Sequence, residues 1–341
     1  MATIKEVSLR AKVSPATVSR VLTGNAAVAS TTKVRVVTAM RELGYRPNMF
    51  ARGLVTNRSH SIGVVVNELS SPYFGSLLGG IEEATEGAGM HLSVSSGHAR
   101  RGSEHRAVEF LQQRHADALI LYLEETPDEE IISWAKGGTP LVLVGRYVAE
   151  LAHVSVHLDN ELGGFMATKH LLDHGHRRVA HITGPLWHYD SRARLAGYRR
   201  ALSEACIPFD ERLVVEGNFQ EEGGQQAATE LLLHAPPSEG SVIAIFAAND
   251  QTAAGALRSL RGRGVRVPTD VSLIGYDDII FARFLQPELT TVRQPLRAMG
   301  RAAAELALAA LQGGVTTLPK EVQRRFEPTL VQRASVADIR P

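Results

Sequence analysis

From residue 61 onward, short apolar runs alternate with amphipathic helical stretches, and this rhythm restricts the fold more than any other feature of the 341-residue chain. Ten runs have the length of buried strands: 62–66, 92–95, 118–123, 141–144, 154–158, 179–183, 214–216, 242–247, 271–276 and 290–293. Helical segments such as 104–114, 164–172 and 192–204 lie between most of them. Strands that alternate with helices form parallel sheets covered on both faces. Ten strands are many for one such sheet, so the pattern predicts two stacked α/β lobes. Their ligand site would lie between them, at the carboxyl ends of the strands.

The first 45 residues follow a different rule. They carry helical periodicity and no strand pattern. A first helix over 4–11 places Ile4, Val7 and Ala11 on one face, and a second over 15–22 offers Val18, Val21 and Leu22. A third starts at Thr31 after a Ser30 N-cap, offers Val34, Val37, Met40 and Leu43, and ends at Gly44. The proline in "VSPATVSRVLTGN" would break a helix interior at a cost of about 3 kcal/mol. It suits a first helical position, where no N–H is needed, so Ser14 caps a helix that begins at Pro15. Three short helices around one small cluster, the first two separated by residues 12–14, are helix-turn-helix organisation.

Charge divides the chain in the same place. Residues 1–59 hold ten Lys and Arg against two acids, a net +8 that leaves −7 on the rest of a chain whose total is +1. A basic head on an acidic body fits a polyanion-binding module; charge alone fits a solvated basic surface equally well. In a helix-turn-helix the second helix enters the major groove, with short hydroxyl side chains against phosphates. Ser14, Thr17 and Ser19 suit phosphate, and Arg20 can reach a guanine edge or a phosphate.

Other classes find less support. A single cysteine, Cys206, allows no internal disulfide framework and fits a reducing compartment. The charged start has no apolar signal core, and no apolar run approaches a membrane span, so a cytoplasmic protein without membrane contact is expected. His170, His174, His176 and His181 form no metal motif with acids or cysteine, and no metal or cofactor is expected. No phosphate-binding glycine loop or nucleophile elbow occurs, which argues against an enzyme.

The segments "TIKEVSLRAKVSPATVSRVLTGN", "RELGYRPNMFARGL", "SIGVVVNELSSPYFGSLLGGIEEA", "HLLDHGHRRVAHITGP", "RLAGYRRAL", "FAANDQTAAGAL", "VPTDVSLIGYDD" and "PELTTVRQPLRAMG" resemble, in order and spacing, the lactose/galactose repressor (LacI/GalR) family. The resemblance runs from Ala2 to about residue 330. It implies an all-α helix-turn-helix head over 1–46, a hinge helix and linker over 47–60, and a two-lobed α/β core like periplasmic binding proteins (type I) over 61–341. The first lobe would comprise 61–159 and 293–318, the second 160–290 and 319–341. The implied function is a transcription regulator, usually a repressor, that binds a pseudo-palindromic double-stranded operator as a homodimer or tetramer under the control of a small-molecule effector.

In that family the first two residues of the reading helix and an arginine four positions on choose the operator. Here these are Pro15, Ala16 and Arg20, so hydrogen-bonded base readout falls on Arg20 and Ala16 offers a methyl. Thr3 joins the implied DNA contacts. In "NMFARGL" the resemblance makes Asn48 the cap of the hinge helix, with Ala51 beside Leu54, an apolar wedge for the minor groove. For the effector it implies Tyr73, Phe74, Arg192, Phe219, Asn249, Asp277 and Gln294. Polar groups around aromatic faces suit a saccharide or sugar derivative; hexoses, disaccharides, nucleosides and sugar phosphates all remain compatible. Lys12 stands where the family commonly has glycine, and a left-handed residue there would cost about 1 kcal/mol or more.

Overall fold

The computed structural model describes residues 2–22, 28–45, 59–234, 243–314 and 317–340. They divide into two compact units, 1–59 and 60–341. The hinge residues Asn48, Ala51 and Leu54 lie outside the described residues.

In the head, α1 (Ile4–Ala11) starts with a reciprocal cap: Glu6 N–H donates to Thr3 Oγ1 at 3.3 Å, and Thr3 N–H donates to Glu6 Oε2 at 2.6 Å. Lys12 ends it in the left-handed region at φ 53, ψ 50, the strained position where glycine would be relaxed. The helix α2 (Pro15–Leu22) begins at the proline, with Thr17 N–H donating to Ser14 Oγ at 3.2 Å. Helix α3 (Ser30–Glu42) starts one residue before the expected Thr31: Ala29, not Ser30, holds the cap position and makes no side-chain bond. Its inner face also differs from expectation. Val36 and Ala39 are buried with Val7, Ala11 and Val18, whereas Val34, Val37 and Leu43 are exposed. Adjacent residues lie about 100° apart around a helix, so a face chosen one position late, at Val37 and Met40 rather than Val36 and Ala39, turns partly away from the cluster.

The larger unit contains two six-stranded sheets. One has the order β11-β5-β4-β3-β1-β2, the other β12-β10-β9-β8-β6-β7. The first is built from β1 (Ser61–Val66), β2 (His91–Ser96), β3 (Ala118–Leu121), β4 (Leu141–Val144), β5 (Ser155–Leu158) and β11 (Arg325–Phe326). The second takes β6 (Val179–Thr183), β7 (Val214–Glu216), β8 (Ile243–Ala247), β9 (Val271–Asp277), β10 (Thr290–Arg293) and β12 (Thr329–Val331). Among the described residues, every pairing is parallel except β10 with β12. Helices α4 (Pro72–Gly87), α5 (Arg101–Gln113), α6 (Asp128–Lys136) and α11 (Leu296–Gly313) accompany the first sheet. The second has α7 (Asn160–Asp173), α8 (Tyr189–Glu204), α9 (Glu221–His234) and α10 (Asp250–Gly262). Among the described residues, no helix is long and apolar enough to cross a membrane.

The chain therefore passes between lobes three times, after β5, after β10 and after β11. The last passage corrects an expected boundary: residues 319–326 stay with the first lobe, because Arg325 and Phe326 pair with His157 and Leu158 of β5. Strands of two and three residues around Pro328 carry no periodicity from which to read them.

Three helix pairs meet through reciprocal glycines. A Cβ on Gly164 of α7 would lie 2.2 Å from the Arg194 carbonyl oxygen of α8, and one on Gly197 of α8 would lie 2.1 Å from that of Glu161. Gly80 and Gly300 do the same for α4 and α11, as do Gly224 and Gly255 for α9 and α10. Backbone meets backbone, so no side-chain rotation can make room. Gly164→Ala is expected to lower stability by about 1–3 kcal/mol through overpacking, read as a lower urea midpoint with an unchanged slope.

Candidate functional site

Two surfaces carry the expected site residues. On the head, Ser14, Pro15, Ala16 and Arg20 of the α2 segment are exposed, with Thr17 and Ser19 half-buried beside them. Ala16 and Arg20, four apart, share one helix face. Ser14 Oγ and Thr17 Oγ1 lie 3.0 Å apart, and Thr3 Oγ1 also donates to Glu6 Oε2 at 3.0 Å. The exposed α2 surface thus presents one long cation and short groups that suit close approach to a backbone.

The second surface is a cleft of ≈ 740 Å³ between the two sheets of the core. Its walls come from the segments that follow β1, β2 and β3 on one side and β6, β7, β8 and β9 on the other. Strand carboxyl ends from two parallel sheets thus face each other, the usual location of a ligand in such folds. On the first lobe, Tyr73, Phe74 and Tyr122 form an edge-to-face triad: the Phe74 ring is 5.0 Å from that of Tyr73 and 4.9 Å from that of Tyr122. Burial raises the pKa of both tyrosines, so their hydroxyls stay protonated.

Arg194 dominates the second lobe. Its Nε donates to Asn160 Oδ1 at 2.9 Å and its Nη1 to the Ala248 carbonyl at 2.7 Å. Nη2 lies 3.6 Å from Asp190 Oδ2 and 4.0 Å from Asp277 Oδ1. The guanidinium carbon sits 3.8 Å from the Tyr276 ring centroid and 5.8 Å from that of Phe219. Asp190 is held from its other side by Asn160 Nδ2 at 2.9 Å. Desolvation pushes the Asp277 carboxyl up to about 7 despite the nearby Arg194 and a 2.7 Å bond from Gln294 Nε2. Near neutral pH, Asp277 can therefore accept or donate.

This geometry corrects one expectation. Arg192, assigned to the cleft by resemblance, is exposed and donates from Nη1 to the carbonyls of Leu186 and Trp187. Residues two apart on a helix point about 200° from each other, so only one of Arg192 and Arg194 can face the cleft. Asp190 and Arg194, at i and i+4, mark the inner face, and that spacing was the signal in the sequence.

The remaining assigned residues lie at or behind the cleft. Tyr73, Phe74, Phe219, Asn249 and Asp277 line it. Phe219 adopts a positive φ of 64°, its ring covering Gly184 so closely that a Cβ there would come within 2.2 Å. Asn249 has a structural task as well: its Oδ1 caps α10 by accepting from Thr252 N–H at 2.8 Å, and its Nδ2 donates to the Phe219 carbonyl at 3.0 Å. Gln294 is buried behind Asp277, on the passage between lobes. Glu124, Trp187, His188, Asp190 and Arg194 also line the cleft and were not expected. Of the four histidines considered for metal, His170 and His174 keep their ring centroids 4.2 Å apart, His181 stacks on Phe246 with centroids also 4.2 Å apart, and His176 Nε2 meets the Ala337 carbonyl at 3.2 Å.

An exposed-cation helix-turn-helix head joined to a two-lobed core with a polar, aromatic cleft defines a ligand-responsive DNA-binding regulator. Residues 3–48 match the bacterial regulatory proteins of the lacI family, and residues 168–336 match a periplasmic binding protein-like domain. The regulator GalR of Salmonella typhimurium (strain LT2) is 40% identical over 337 residues, 99% of this chain and 96% of that protein. The repressor PurR of Proteus mirabilis is 34% identical over 342 residues, with 99% and 98% covered. Among solved structures, a Lac repressor dimer bound to operator and the anti-inducer ONPF aligns with TM-score 0.85 at 28% identity, covering 98% of this chain and 99% of that one. A complex of the regulator CelR with cellobiose aligns with TM-score 0.72 at 34% identity, covering 98% and 100%. The chain belongs to the lacI family of transcription regulators; it is a DNA-binding regulator and not an enzyme.

Removing the buried cation should separate the two arginines. Arg194→Ala leaves Asp190 and Asp277 buried without the guanidinium they share and is expected to cost about 3–5 kcal/mol in denaturant unfolding. Arg192→Ala is expected to stay within about 0.5 kcal/mol of the parent.

Proposed function

We propose that this regulator is a cytoplasmic repressor that binds a pseudo-palindromic operator as a homodimer and takes an uncharged polyhydroxylated ligand, a sugar or close derivative, in the cleft. The observation that carries the ligand reading is the state of Arg194, whose Nε, Nη1 and Nη2 already face a carboxamide, a carbonyl and two carboxylates. Glu68, Glu124, Asp190 and Asp277 line the same cleft, against Arg194, His188, His98 and an Arg100 that is exposed. A phosphate entering there would meet fixed acceptors and a cation already neutralised, whereas hydroxyls can donate to the carboxylates while aromatic faces cover C–H surfaces. The cellobiose complex of CelR supports a saccharide.

The ligand reading is tested by thermal shift with D-galactose, D-ribose and cellobiose, each beside a phosphorylated counterpart, with and without an operator selected from random duplexes. A neutral sugar at a hundred times its Kd should add about 2.7 kcal/mol. Stabilisation by the phosphates alone would overturn the reading. The shift seen with operator present gives the sign of the coupling.

For DNA, two heads bring phosphate contacts in pairs, so operator affinity should fall steeply with salt. Arg20→Ala is expected to cost about 1–3 kcal/mol and to relax preference at one base position of each half-site, read by binding to single-substituted duplexes.

The homodimer has support in an apolar cluster on the one-turn helix after β9. Ile280, Phe281 and Phe284 are 47%, 55% and 70% exposed, large apolar side chains close in sequence that a partner surface would cover. Phe284→Asp is expected to shift the protein towards monomer in sedimentation equilibrium and, with it, to weaken operator binding.

A further inference from the structure

His188 and Glu124 face each other across the cleft with Nε2 and Oε1 2.7 Å apart. Glu124 belongs to the first lobe, in the segment after β3; His188 belongs to the second, immediately before α8. We propose that this pair is a latch that holds the cleft closed in the absence of any ligand, so that the effector meets a core already populated in its closed form.

Both ends of the pair are braced. On the first lobe, Glu104 of α5 is fully buried, and its carboxylate accepts from Glu124 N–H at 2.7 Å, Thr126 N–H at 2.9 Å and the Thr126 hydroxyl at 2.6 Å. Those bonds fix the segment that carries Glu124, and Asn67 Nδ2 adds a 3.3 Å contact to Glu124 Oε1. On the second lobe, the His188 ring stands edge-on to Phe219 at 5.1 Å, and its Nδ1 accepts from Asp190 N–H at 3.3 Å. That acceptor role leaves Nε2 as the protonated nitrogen, directed at Glu124. Asp190 and Arg194 are the other charges that bear on the ring. The Nε2–H bond to Glu124 needs no proton on Nδ1, so the neutral imidazole suffices for the latch.

The side chains of the pair are 10% and 9% exposed, which keeps the bond out of bulk water, where exposed pairs contribute little. Opening the lobes by a few ångströms breaks the contact outright. A ligand arriving at such a core has little closure left to drive, and its apparent affinity rises with the fraction already closed.

The proposal concerns the empty cleft and stands apart from the identity of the effector. It is tested on the full-length ligand-free protein by amide hydrogen exchange at residues 186–189, the segment across the cleft from Glu124. Glu124→Ala, which removes the acceptor, is expected to raise exchange there by about tenfold through a shift towards the open form. Glu124→Lys with His188→Glu, which rebuilds an ion pair of reversed polarity, is expected to restore protection, an outcome that purely local packing would not produce. Unchanged exchange at 186–189 in Glu124→Ala overturns the latch, as does a folded double variant that exchanges as fast as the single one. If the double variant does not fold, Glu124→Ala decides alone. No sugar is added, so the result is independent of whether the cleft takes a neutral saccharide.

Discussion

A guanidinium withdrawn from water must find anions and hydrogen-bond acceptors, and the second lobe is arranged around that requirement at Arg194. Its partners come from four places in the chain: Asn160 at the start of α7, Asp190 on its own helix, the Ala248 carbonyl beyond β8, and Asp277 with Tyr276 at the end of β9. Each needs the others, because a buried carboxylate without a cation is as costly as a buried cation without a carboxylate. The cluster therefore fixes how the strand ends converge. The cleft that results is polar at its floor and aromatic at its walls, a surface suited to alternating hydroxyl and C–H groups.

The two-lobed α/β architecture was readable from residues 61 onward because buried parallel strands are continuous apolar runs; β4, β6, β7 and β10 coincide with the segments so marked. The head was readable from Ser14, Pro15 and the basic excess, since capping chemistry is local and charge is additive. What escaped depended on contacts distant in sequence. Strands β11 and β12 exist because β5 and β10 offer free edges, not because of their own two or three residues. The choice between Arg192 and Arg194 turned on helix phase, and resemblance placed the arginine two residues early. Glu124 and His188 are 64 residues apart and carry no motif; only the folded cleft brings them together.

The two functional surfaces differ in how they use side chains. In the cleft, Asn249 caps a helix and supports Phe219, and Gln294 holds Asp277 from behind, so residues assigned to the ligand by resemblance also carry structure. On α2 of the head, Pro15 and Ala16 have nothing to donate, and a left-handed Lys12 precedes the helix at some conformational cost. Under the proposed role of Arg20, a reader with one long cation leaves much of its discrimination to methyl contacts and to how easily a duplex deforms.

The reciprocal glycines have a mechanical consequence. Helices seated backbone to backbone have no compliant side-chain layer between them, so α4 with α11, α7 with α8 and α9 with α10 behave as stiff double beams. Stiff lobes store little deformation, and displacement goes instead to the three slender strands of chain that pass between them. Gln294 lies on one of these passages, bonded to Asp277. The core is thereby built as two rigid plates on a triple flexure, in which a small change of angle at the flexure is delivered undiminished to the far edge of each plate.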